Sequence, residues 1–103
     1  MQTTFYIVLN IKTATGFESF GKFFIGNKRE FAKAIFSKLK GQKNVDEKSI
    51  LHLDMIETVN GLPVNLQMIH CTLDELAENC KVITKETFKL FNLEEFWLFV
   101  MPE

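Results

Sequence analysis

His52, Asp54 and Cys71 are the residues of this 103-residue chain whose types and spacing come nearest to doing covalent chemistry. A thiol beside an imidazole beside a carboxylate is the arrangement that generates a thiolate nucleophile at neutral pH. His52 and Asp54 stand two apart, so on a strand they share a face. Cys71 must then arrive from a neighbouring strand. No glycine-rich loop, oxyanion donor or local signature accompanies the three, so they are candidates for catalysis by proximity alone. The balance leans away from an enzyme, and the plainer expectation is a polar cluster at the edge of an interface.

Other chemistries find less support. His52-x-Asp54 offers two metal ligands, and the expected facing residues, Gln67 and Ile69, do not supply a third. His70 reads as a histidine at the edge of the core. Asp74, Glu75 and Glu78 sit where a helix N-terminus favours acids, which explains them without a ligand. The five glycines are dispersed and make no phosphate-cradling loop. No cofactor and no metal site are therefore expected. The only cysteines, Cys71 and Cys80, are separated by about two helical turns, roughly 12 Å, which is beyond disulfide reach. Two free thiols suit a reducing, cytoplasmic setting.

The elements that must position these residues follow from periodicity. Residues 4–12 and 18–25 alternate as strands, closed by a three-residue loop Ala14-Thr15-Gly16 that pairs Lys12 with Glu18. In that register Phe5, Ile7, Leu9 and Ile11 share a face with Phe23 and Ile25. A helix is expected over 28–40, opened by the Asn27/Glu30 capping pattern and stopped at Gly41. The polar linker 41–48 leads to a second hairpin, about 49–58 and 63–71, turning at Asn60-Gly61, the strongest short hairpin signal. Its expected core face holds Leu51, Leu53, Met55 and Val59 with Leu62, Val64, Leu66, Met68 and His70. Thr72-x-x-Glu75 opens a short helix, Thr84 caps another, and FWLFVMP at 96–102 reads as a terminal strand, with helix as the alternative. Gly21 in mid-strand, opposite Leu9, marks a bulge or a close approach.

The order ββα-ββαα, with an optional last strand, makes one α+β domain over 1–103. It is a two-layer sandwich whose antiparallel sheet of four or five strands carries helices on one face.

The other face of that sheet raises the functional question. Eleven phenylalanines are more large apolar surface than one small core readily hides. Tyr6, Val8, Phe20, Phe24, Ile56 and Ile69 all fall on the face away from the helices, among polar neighbours. A solvated face should read mostly polar. Either the C-terminal aromatic segment covers it or another subunit does, since a large exposed apolar patch is uncommon on a monomer. The preferred reading is a non-catalytic interaction module, a homodimer through this face. The alternative is a small-molecule-binding protein or enzyme with a pocket around His52, Asp54 and Cys71.

Charge is segregated, with net +5 over residues 22–48 and net −6 over 54–103. With a single arginine and an acidic half, nucleic acid is not the expected partner; the plainer expectation is two helices whose opposite charges complement each other or a partner. No apolar run is long enough for a membrane span.

Overall fold

The computed structural model describes residues 3–44 and 49–100, with side chains up to residue 91. Two hairpins build one sheet. β1 (Thr3–Thr13) and β2 (Gly16–Phe24) form the first, β3 (Leu51–Val59) and β4 (Leu62–His70) the second. The central strands β1 and β3 pair with each other, giving the order β2-β1-β3-β4 with every pairing antiparallel. Helix α1 (Arg29–Ser37) follows the first hairpin and α2 (Leu73–Val100) the second. The expected α+β class and four-stranded antiparallel sheet are what the chain forms.

The core lies between the sheet and the helices. Phe5, Ile7, Leu53 and Met55 from the central strands pack with Ile25, with Ala32, Ile35 and Phe36 of α1, and with Leu76 and Ile83 of α2. The β1–β3 ladder runs without irregularity from Thr3–Val59 to Ile11–Leu51. Both bulges fall on the edge strands, where a ladder can give way at least cost. In β2 the extra residue is Phe20: Leu9 pairs with Gly21, but Asn10 pairs with Ser19. In β4 it is Leu66: Met55 pairs with Gln67, but Ile56 pairs with Asn65.

These bulges correct two expected registers. The first hairpin closes on a two-residue turn, with Thr13 opposite Gly16 and Ile11, not Lys12, opposite Glu18. Glu18 is held instead by the turn, 3.1 Å from Thr13 Oγ1 and 3.4 Å from Thr15 Oγ1. Beyond the bulge the expected Tyr6–Phe24 and Leu9–Gly21 pairs are present. In the second hairpin the Asn60-Gly61 turn is as expected, with both residues at positive φ. Past Leu66, however, the side chains exchange faces. Ile69, expected on the outer face, pairs with Leu53 in the core, while Met68 and His70 pair with Asp54 and His52 on the outer face.

The helices also depart from expectation. α1 starts at Arg29 behind an N-cap residue, Lys28, that makes no side-chain cap, so the Asn27/Glu30 box is not used, and it ends at Ser37, before Gly41. The segment after it returns to the sheet, where Gln42 exchanges two 2.9 Å backbone hydrogen bonds with His70. At Gly41 a Cβ would meet the His70 carbonyl at 2.7 Å, so only glycine allows that approach. The Thr72 box does form: Glu75 N–H donates to Thr72 Oγ1 at 3.1 Å, and Thr72 N–H donates to Glu75 Oε1 at 2.9 Å. α2 then runs unbroken for 28 residues, so neither the Thr84 cap nor a strand beginning at residue 96 exists. No glycine or proline interrupts the segment; Leu76 and Ile83 are buried in the core, and beyond the expected break Leu90, although exposed, lies against Gly26. Whether the side chains of 96–101 cover the sheet, and the linker residues 45–48, lie outside the described residues.

Candidate functional site on the outer sheet face

Ladder parity places Tyr6, Val8, Asn10 and Lys12 of β1 on the face away from the helices, with Ile56, Asp54 and His52 of β3 beside them. From the edges come Phe24, Lys22, Ser19 and Phe17 of β2, and Asn65, Met68 and His70 of β4. The face divides in two.

One corner is aromatic. Phe24 packs against Tyr6 with ring centroids 5.5 Å apart, and Lys22 Nζ sits 4.2 Å above the Tyr6 ring. Phe91 of α2 stacks on the other side of Phe24 at 5.6 Å. The helix reaches the sheet's end here, where Leu90 lies against Gly26. Phe91 thus shields one side of Phe24, which still leaves that ring 45% exposed. Phe20, on the bulge, is 59% exposed.

The centre is polar. Ser19 Oγ donates to Asn10 Oδ1 at 2.7 Å, and Asn10 Nδ2 donates to Asp54 Oδ2 at 2.9 Å. Phe17 stacks on His52, centroids 4.3 Å apart. His52 and Asp54 are each only 7% exposed, and among the described residues His52 Nε2 and Asp54 Oδ1 are buried with no hydrogen-bond partner. Burial pushes the Asp54 carboxyl above its ordinary value; nearby His52 and the amides of Asn10 and Asn65 offset part of that rise.

The expected triad does not assemble. His52 and Asp54 share the outer face, but the Leu66 bulge carries Cys71 into the core with Ile69. Cys71 N–H is tied to the Leu51 carbonyl at 3.1 Å. Burial, Glu75 and Cys80 push its thiol up to about 11, away from a thiolate at neutral pH. An open groove of about 530 Å³ passes Cys71 and His70 at the end of the sheet, and its described lining does not include His52 or Asp54. Both cysteines are free. No group of three or more metal-ligating side chains occurs among the described residues, and no described helix is long and apolar enough to cross a membrane.

Two features escaped sequence reasoning. The Ser19–Asn10–Asp54 relay needs the shifted register of β2, which no local pattern discloses. Asn79 is fully buried on α2, where it donates to the Lys40 carbonyl at 2.8 Å and accepts from Lys40 N–H at 2.7 Å. A lone asparagine on an otherwise apolar helix stripe was its only signal. The segregated charges do meet inside the molecule: Lys38, just after α1, pairs with Glu86 of α2 at 3.3 Å, and Arg29 pairs with Glu57 at 2.8 Å. Comparisons with protein families, with curated proteins and with solved structures found no match.

Proposed function

We propose that the chain is a non-catalytic interaction module that self-associates, as a homodimer, through the outer face of its sheet. The observation that carries the reading is the composition of that face. Tyr6, Val8, Phe24, Ile56 and Met68 lie on the side opposite the helices, with Phe20 exposed at its rim. Apolar surface gathered this way is what a subunit interface removes from water. Ile69 drops out of the expected contact set because it is a core residue. The two free thiols fit a cytoplasmic protein.

The alternative, a small-molecule site or enzyme around His52, Asp54 and Cys71, loses its nucleophile. What remains is two polar atoms beneath packed side chains.

Light scattering tests the proposal. At about 100 µM the mass should approach twice the 12.0 kDa of one chain. Ile56→Lys, in the middle of the face, should return it to one chain with circular dichroism unchanged. A monomeric parent, or a dimer untouched by Ile56→Lys, overturns the reading.

A further inference from the structure

The connection that leaves α1 is anchored at two points. Asn79, fully buried on α2, spends both ends of its amide on the Lys40 backbone. Two residues on, Gln42 exchanges its two backbone bonds with His70 of β4. Gly41, between the anchors, passes close to Ile69. Residues 38–43 are thereby fixed as a strap from the end of α1 to the edge of the sheet.

The strap, α1 and β4 border a cavity of about 270 Å³ on the helix side of the sheet. Phe36, Leu39 and Ile69 give it apolar lining, continuous with the core. Gln67 reaches it from β4, on the helix side because it stands opposite the buried Met55. The charged side chains of the described lining are Lys33 of α1 and Lys43 of the strap, with no carboxylate among them. Neither lysine makes an ion pair among the described residues, whereas Lys38, Lys81 and Lys89 each have one.

We propose that this cavity binds a small carboxylate with a short apolar tail. Two ammonium groups and an amide are donors that lack an acceptor among the described residues, and a carboxylate brings two acceptor oxygens. Neither an arginine fork nor a helix N-terminus, which favour phosphate, is part of the described lining. Phe36, Leu39 and Ile69 receive the tail instead. At roughly 30 Å³ for each non-hydrogen atom, 270 Å³ holds about nine of them, close to the size of hexanoate. The site lies across the sheet from the proposed dimer face, and occupying it does not depend on self-association.

Titrating the full chain with hexanoate, followed by backbone amide shifts, tests the site. Saturable shifts should centre on Lys33, Phe36, Gly41, Lys43 and Gln67, with a Kd of about 1 mM or tighter. Acetate should bind at least about tenfold more weakly, because two buried methylenes contribute about fourfold each. Hexylammonium, with the same tail and the opposite charge, should not saturate. Lys33→Gln combined with Lys43→Gln should weaken hexanoate by about tenfold or more with circular dichroism unchanged, since both side chains are exposed. Ile56→Lys should bind hexanoate as the parent does. No saturation below about 10 mM overturns the proposal, as does an equal response to hexylammonium or acetate. Shifts centred on the outer face, or unchanged affinity in the double lysine variant, overturn it too.

Discussion

Asp54 is a carboxylate under the outer face with one oxygen bonded and one not. Its carboxyl is raised from 3.8, chiefly by burial. Between that value and the folded one the unfolded chain holds fewer protons at this site. Asp54 therefore makes stability fall as pH rises through the window. Asp54→Asn removes the charge while leaving an amide oxygen for Asn10 to donate to. Denaturation profiles should lose that fall, with stability near pH 7 equal to the parent's or higher. A loss of several kcal/mol would mean that the ionised form is held by interactions stronger than those seen. Cys71 gives the complementary expectation. A thiol raised from 9.0 to about 11 has about 100-fold less thiolate near pH 7. Iodoacetamide should label it at least about that much more slowly in the native chain than in urea, and rapid native labelling would contradict its burial.

At the scale of elements, local signals and long-range ones separate cleanly. The Asn60-Gly61 turn and the Thr72/Glu75 box were legible because each is complete within four residues. Thr72→Ala should remove the acceptor for Glu75 N–H, cost about 1 kcal/mol and lower the melting temperature by about 4–8 °C. An unchanged transition would show that the first turn of α2 is held by packing alone. The faces of β2 and β4 were legible only as far as their bulges. Alternation places Tyr6, Val8, Phe23 and Phe24 correctly, then misplaces Ile69, Cys71, Met68 and His70 by one residue. Gly21 hinted at the first irregularity; nothing around Leu66 disclosed the second. The single long α2 was hidden by Thr84, whose cap-like context reads the same in mid-helix.

For the whole molecule, the fold class followed from the order of elements, whereas the candidate triad failed on a single inserted residue. Both helices lie on one face and the phenylalanine-rich surface on the other. Phe91 reaches round to Phe24, so part of the cover expected from the C-terminal segment is supplied by α2 itself. The opposed charges of the two halves are used in part within one chain, through Lys38–Glu86 and Arg29–Glu57. That leaves less basic surface for phosphate than a count of lysines suggests.

The Leu66 bulge also determines where this chain tolerates shortening. Removing Leu66 would restore a regular ladder on both sides, because Asn65 and Gln67 already hold partners one rung apart. Removing Gln67 would do the same, with Leu66 taking the rung opposite Met55, and in either case Ile69 stays opposite Leu53 and His70 keeps its bridge to Gln42. The bulge thus gives β4 one residue of slack, and a loss beside it leaves the strand's far end in register.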